Sequence, residues 1–440
     1  MVDDLISNMN EKNSYPRVLI VNQQSIKKNN ATGITLRSLW EEWPLDKYME
    51  VYLDQYETQV DYKCEFRSIC LPSNWLNRIA HCGSAKRINS GIKHQELKPN
   101  NSFLYNIRQG IVLILDMILS VVPSSVRFQL DSFSPEIIYT LGASVSALDL
   151  AYRLSKRYKA PIIIHYMDNW PESLQWDTNP FIKPYRKVLD TKLNRCNKRS
   201  VMGLAISPQM ADAYSIKFNM PFTSIMNSVD VNSFHLEAKI QGNPLKFVYA
   251  GGLHLNRWKA LLDISKAFIQ EGINAELHIY TSKEYTESYR SLFNDNTFFH
   301  EPVDHSEISK VYQDADVLVH VESDNPMLLG FFKYSISTKI PEYLASGRII
   351  LFYGPKELGL FKYLRDNMAA YTAGDYDELC ENLAVINSSK KNDIILQNAM
   401  KVAQDNHNTK NTRLILKNTI NSCVEGYKYP INSKGRAEWA

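Results

Sequence analysis

Lys246-Phe-Val-Tyr-Ala-Gly-Gly-Leu-His-Leu-Asn-Arg-Trp-Lys259 holds a strand, a turn and the start of a helix. Residues Lys246 to Ala250 are short and mostly apolar, the pattern of a strand buried on both faces of a parallel sheet. Gly251 and Gly252 turn the chain. Trp258 to Gln270 then reads as a helix with Leu261, Ile264 and Phe268 on one face, and Glu271-Gly272 ends it. Downstream the pattern repeats. Ala275 to Thr281 reads as a strand, Ser306 to Ala315 as a helix, Asp316 to Val321 as a strand, Pro341 to Ser346 as a short helix and Arg348 to Tyr353 as a strand.

Upstream the same unit recurs. Arg17 to Val21 is a β-branched run followed by a polar loop, Asn22 to Thr32, and a helix beginning near Thr35. Glu136 to Thr140 leads through Gly142 to a helix carrying Val145, Leu148, Tyr152 and Leu154. Ile162 to His165 and Gly203 to Ile206 are further strands, and Ser207-Pro208 opens a helix. Alternating strands and helices imply parallel sheets covered on both faces. A polar stretch, Asn232 to Pro244, separates the two series. The expected class is α/β, with two doubly wound, Rossmann-like domains facing a central cleft. The expected domains are 1–235, 245–395 and a C-terminal helical segment, 396–440, packing back on the first domain. Ligands in such sheets lie outside the carboxyl ends of the strands.

Composition excludes several classes. The chain of 440 residues is long enough for two domains, and its net charge of +3 is too small to argue for nucleic acid. The six cysteines, Cys64, Cys70, Cys82, Cys196, Cys380 and Cys423, have neither zinc-knuckle nor redox spacing. They read as free thiols of a reducing compartment. The first residues, MVDDLISNMNEKNSYP, carry no secretory signal, so a cytoplasmic protein is expected. No G-x-G-x-x-G follows the first strand, and no P-loop or HExxH pattern occurs. The apolar run Ile111 to Val122 is too short to span a bilayer and contains Asp116. It reads as a buried helix. Its alternative is an interfacial helix meeting anionic lipid beside Lys86, Arg87, Lys93 and Arg108.

The loops after the later strands carry the chemistry. Gly251 and Gly252 let a diphosphate approach the backbone. Arg257 offers a planar fork of donors to phosphate oxygens, although a lone Arg at a helix start is more often solvated. The second segment is Ser335-Ile-Ser-Thr-Lys-Ile-Pro-Glu-Tyr-Leu-Ala-Ser-Gly347. Pro341 suits the first turn of a helix and Gly347 its end. Amides near Ser337 and Thr338, with Lys339, suit phosphate. Glu342 can accept from two ribose hydroxyls, or simply complement the helix dipole.

These residues resemble glycosyltransferase family 4, a retaining family with the GT-B fold. Its members carry a glycine-rich turn after the first strand of the second domain and a Glu–seven residues–Glu motif. Arg257 falls where the family has a Lys on the donor diphosphate, and Glu342 matches the second Glu, on the nucleotide ribose. Gly252 stands in place of the usual Arg, and Tyr334 in place of the first Glu, which meets the donor sugar. The segment Ser337 to Gly347 resembles a variant of the family in bacterial cell-surface polysaccharide synthesis. The resemblance runs from Arg17 to about Tyr371.

It implies a hexosyl transfer with retention, from a nucleoside-diphosphate sugar to a saccharide or lipid-linked saccharide. No metal or other cofactor is implied; Arg257 and Lys339 meet the charge of the leaving diphosphate. Thr32 and Gly33 resemble the family's acceptor-side loop. His165, at the end of a buried strand, matches a family His that contacts the donor sugar, and its other reading is a core histidine. Asp168 could bind sugar hydroxyls. Two other readings stay open: a nucleotide-sugar 2-epimerase of the same fold, and an inactive nucleotide-binding partner of another transferase. The expected setting is the cytoplasm, with peripheral contact at the inner face of the membrane as a further option.

Overall fold

A computed structural model describes residues 15–26, 31–53, 67–71, 103–117, 121–170, 172–174, 180, 182–234, 242–304, 307–388 and 392–428. The candidate lipid-facing Lys86, Arg87 and Lys93 lie outside these residues, as does the side chain of Arg108. Among the described residues, one unit comprises the chain up to 226 and again from 412, and the other comprises 227–411. The division thus falls at 226, earlier than the polar stretch suggested. Within the C-terminal segment, residues 396–411 belong to the second unit and those from 412 to the first.

The first unit is built on seven strands: β1 (Val18–Asn22), β2 (Tyr48–Tyr52), β3 (Ser68–Cys70), β4 (Ile137–Leu141), β5 (Ile162–Tyr166), β6 (Gly203–Ala205) and β7 (Phe222–Ser224). All pair in parallel, in the order β3-β2-β1-β4-β5-β6-β7. The strand order reverses between β1 and β4, where Val18 faces Ile137 and Val21 faces Thr140. Trp40, on the helix Ala31–Trp40, packs edge-on to Tyr139 at 5.0 Å between ring centroids. Leu416, Ile420 and Cys423 of the helix Thr409–Lys428 complete that core. Arg413 of the same helix reaches the carbonyl of Ser38 at 2.7 Å and pairs with Glu41 and Glu42.

Two carboxylates, one buried and one half-buried, organise the strand ends of this unit. Glu50 of β2 accepts from the hydroxyls of Ser25 and Ser68 at 2.9 and 2.8 Å and from the amide of Ile26 at 2.6 Å. Asp116 accepts from the amide of Val145 at 2.8 Å, the hydroxyl of Ser144 at 2.8 Å and that of Tyr185 at 2.6 Å. It therefore caps the helix Val145–Tyr158, where the dipole and unsatisfied amides favour a negative charge.

The apolar run departs from its expected form. Its helix, Phe103–Asp116, stops at the capping carboxylate, and Ile111 and Ile114 are exposed while Leu115 is buried. Val121 and Phe128 beyond it are 72% and 75% exposed. Only one face of this segment is buried, so the buried-helix expectation holds for Leu115 and not for its neighbours. Among the described residues, no helix is long and apolar enough to cross a membrane.

The second unit repeats the plan with β8 (Leu245–Ala250), β9 (Ala275–Tyr280), β10 (Thr297–His300), β11 (Val317–Val321), β12 (Ile349–Tyr353) and β13 (Tyr371–Ala373). All are parallel, in the order β10-β9-β8-β11-β12-β13. Phe247, Leu261, Ile264, Phe268, Val319 and Leu351 share one core. Here the order reverses between β8 and β11. That places Gly251 and Glu322, the residues just past these two strands, at the switch point where such sheets bind ligands.

Burial of Ile420 gives a direct check on the last helix. Ile420→Ala should cost about 2–5 kcal/mol, read as a lower denaturant midpoint for the transition that unfolds the first unit. A change below about 0.5 kcal/mol, the size typical of a surface site, would show that the helix does not belong to this core.

Candidate functional site

The turn after β8 is tight and strained. Leu255 and Asn256 take left-handed backbone angles, with φ of 60° and 64°. Asn tolerates that region; for Leu it costs on the order of 1 kcal/mol or more. The strained turn starts the helix Arg257–Gln270 with Arg257 pointing back across the sheet end. The tyrosine of β8, Tyr249, donates its hydroxyl to the carbonyl of Gly252 at 2.8 Å and so pins the glycine pair.

Arg257 does not face solvent, as a lone arginine at a helix start would. Its Nε and Nη2 bind both carboxylate oxygens of Glu322 at 2.9–3.1 Å. The two side chains are only 16% and 8% exposed. The guanidinium also stands 5.5 Å from the ring centre of Phe332, and its Nη1 lies 3.4 Å from His254 Nε2. Burial alone would push the Glu322 carboxyl up. The His320 ring and the Arg257 charge outweigh it and hold the group below the usual range. His320 Nε2 lies 3.3 Å from Glu322, outside good hydrogen-bond geometry. Burial lowers the pKa of that ring, which favours its neutral form.

Lys339 comes from the other segment. Its ammonium lies against Gly251, so closely that a Cβ on that glycine would collide with it. It also stands 5.3 Å from the centre of the Tyr249 ring, a cation–π distance. Burial, then the like charge of Arg257, depresses its pKa to about 8, against the pull of Glu322 and Glu342. Two stretches nearly ninety positions apart in the chain, the Gly251 turn and residues 337–342, thus converge on one point.

The second segment differs in detail from its expected form. The helix is Ile340–Ala345, six residues long, and it ends at Gly347 with φ of 67°. The amide of Ile340 is taken by the carbonyl of Ser337 at 3.1 Å, and that of Lys339 contacts the Ser337 hydroxyl at 3.4 Å. Ser337 is half-buried and Thr338 exposed. The open row of amides expected there is partly closed, and the positive charge at this point comes chiefly from Lys339. Glu342 is half-buried and acts on Lys339, Tyr312 and Tyr343. Tyr334 lies under the Lys333 ammonium, 5.2 Å from its ring centre.

The supports of this segment were not visible in the sequence. Asn227 donates to the carbonyl of Ile336 at 2.9 Å. The Asn227 carbonyl accepts from His407 Nδ1 at 2.7 Å, which leaves Nε2 to accept from the Tyr363 hydroxyl at 3.0 Å. Burial keeps the His407 ring neutral, with its pKa pushed down to about 4. Glu322, His320, Asn227 and His407 are far apart in the chain and carry no local motif.

The expected residues of the first unit lie at its strand ends. His165 is fully buried on β5, with Nδ1 2.7 Å from the Tyr139 hydroxyl, and burial lowers its pKa to about 4. Asp168 is half-buried after the same strand, and burial raises its carboxyl. Thr32 and Gly33 sit in the first turn of the helix Ala31–Trp40, not in the loop before it; Asn30 lies outside the described residues. In this unit the helix start at the switch point is already filled by the Asp116 carboxylate. A second anion there would meet like charge. Among the described residues, no group of three His, Cys, Asp or Glu side chains is placed to hold a metal ion.

Solved structures with the same arrangement are found readily. HepE from Anabaena, in complex with UDP, matches with a TM-score of 0.60 at 13% identity, over 92% of this chain and 100% of its own. The chain has the GT-B fold. The lipopolysaccharide outer core galactosyltransferase WaaB matches at 0.56 and 12% identity, over 92% of this chain and 99% of its own. Sucrose-phosphate synthase from Thermosynechococcus elongatus matches at 0.55 and 11%, over 92% and 97%. HepE has also been solved with UDP and glucose and with UDP-glucose. At such identities the likeness is one of GT-B fold alone. No protein-family model and no curated protein matches the sequence.

The ion pair at the switch point should carry stability as well as position. Glu322→Ala leaves a desolvated guanidinium without its partner and should cost about 3–5 kcal/mol, measured by denaturant unfolding of the second unit. A loss under about 1 kcal/mol, the size of an exposed pair, would mean that Arg257 swings freely into water.

Proposed function

We propose that this protein is a glycosyltransferase of the GT-B class that takes a nucleoside-diphosphate sugar in its second unit. The observation that carries the reading is the lodging of the Lys339 ammonium against Gly251, at the switch point of the second sheet. A glycine without side chain beside a half-buried cation is a place where a diphosphate can lie on the backbone and meet a positive charge. Glu342, half-buried near Lys339, is the carboxylate for the ribose hydroxyls. Ser337 and Thr338 border the same point.

Chemistry follows from charge. Breaking the bond between the anomeric carbon and the diphosphate builds negative charge on the leaving group. Fixed cations there stabilise the transition state more than the ground state. In this reading the side-chain cations meet that charge without a metal. Transfer proceeds with retention, a hexosyl group passing to a saccharide or a lipid-linked saccharide held by the first unit. Asp168, Thr32 and Gly33 serve the sugar and acceptor in that unit, while His165, fully buried against Tyr139, takes its other reading, a core histidine. The exposed Ile111, Ile114, Val121 and Phe128 support peripheral contact with the inner face of a membrane, where lipid-linked acceptors reside.

Nucleotide sugars supplied with saccharide and lipid-linked acceptors test this. The native chain should release nucleoside diphosphate only when an acceptor is present. An epimerised donor formed without acceptor would establish the epimerase reading instead, and binding without turnover the inactive-partner reading. Glu342→Ala should weaken UDP binding by roughly tenfold or more, the worth of hydrogen bonds to a charged group, and leave inorganic pyrophosphate binding as it was. Equal losses for both ligands would remove Glu342 from the ribose.

A further inference from the structure

The two cations at the Gly251 turn are in opposite electrical states. Arg257 is neutralised: both oxygens of Glu322 take its Nε and Nη2, and the pair is nearly closed to solvent. An anion that approaches Arg257 meets the Glu322 carboxylate at the same place. Only Nη1 stands outside that fork, and it lies 3.4 Å from His254 Nε2. Among the described residues, Lys339 forms no ion pair. Its half-buried ammonium rests on Gly251 and the face of Tyr249, with Glu322 and Glu342 acting on it from a distance and neither paired with it.

We propose that Lys339 is the group that captures the donor diphosphate, and that Arg257 is a positioning residue, clamped by Glu322, that shapes the turn around it. This rests on the reading of the second unit as a nucleoside-diphosphate site. It departs from the sequence expectation, in which both Arg257 and Lys339 meet the charge of the diphosphate.

The clamp explains why the two differ. Withdrawing Glu322 from Arg257 to free the guanidinium for phosphate would strand a buried carboxylate, at the large cost of breaking a buried ion pair. Lys339 has no such tie. The charges facing it are Arg257 from the helix after the turn, Glu322 from the end of β11 and Glu342 from its own helix. Tyr249 of β8 supplies the ring, and His320 stands behind Glu322. With these alone its pKa falls to about 8, through partial burial and the nearness of Arg257. A diphosphate would bring a directly paired counter-charge and hold the proton on. Affinity is then full below about pH 8 and declines as pH rises past it, since the free chain must first regain that proton.

Calorimetric titration of the full chain with UDP at about pH 7.5, and with ADP at about pH 7.5 and about pH 9.5, tests the assignment; the pH dependence is read with ADP, because the uracil base gains a charge near the upper pH and the adenine base does not. The native chain should lose roughly tenfold or more in affinity over that interval, as linkage to a single proton requires. Lys339→Met should bind UDP at least roughly tenfold more weakly at the lower pH, the worth of a charge-assisted contact, and should lose the pH dependence. The neutral pair Arg257→Gln with Glu322→Gln should bind less well, through the altered turn, yet keep the fall with pH. Persistence of the pH dependence in Lys339→Met, or its disappearance in the neutral pair, would overturn the assignment. If the native chain bound neither UDP nor any other nucleoside diphosphate, the glycosyltransferase reading beneath it would fail instead.

Discussion

The candidate site of the second unit depends on one close approach, that of the Lys339 ammonium to a glycine with no side chain. Any Cβ at position 251 would push the amine out. The approach needs the β8 strand to end at the switch point and the turn to be held by Tyr249. It also needs residues 336–339 to be delivered to the same place, which Asn227, His407 and Tyr363 do through a chain of buried hydrogen bonds. Strain at Leu255 and Asn256 is stored where the backbone turns toward the helix, and the bidentate ion pair with Glu322 keeps Arg257 where that turn aims it.

The two units use one plan for different ends. Each is a parallel sheet with the same reversal of strand order, and each leaves a helix start at that reversal. In the first unit a carboxylate of the chain itself, Asp116, occupies the helix start, tied by Ser144, Val145 and Tyr185. In the second the corresponding corner carries two glycines, the Arg257–Glu322 pair and an ammonium outside that pair. The carboxylate of the first corner is held by the helix start, and that of the second by an arginine, which leaves Lys339 for an anion.

The double sheet was legible because its central strands are unmistakable: Val18 to Val21, Ile162 to Ile164 and Val317 to Val321 are short apolar runs, each set off by turns. The edges were not. β3, β7 and β13 have three residues each, too few to show a period. Tyr48-Met-Glu-Val-Tyr hides a buried strand behind Glu50, whose charge is matched only by side chains from other elements. At the site, glycines, Arg257, Lys339 and Glu342 could be picked out by residue type and position. Their division of labour could not, because it is set by Glu322, a single acidic residue after a strand with nothing in its neighbours to mark it. Asp116 read as an interruption in an apolar run, and proved to be the cap of a helix that starts twenty-nine positions later. Partners brought together only by folding leave no local trace in a sequence.

A crystal structure of the chain with a bound nucleoside diphosphate tests the central claim most directly. The account predicts phosphate oxygens over Gly251 at hydrogen-bond distance from Lys339 Nζ, about 2.7–3.2 Å, with the Arg257–Glu322 pair intact beside them. A diphosphate bound at Arg257 with that pair broken, or seated away from the end of β8, would contradict it.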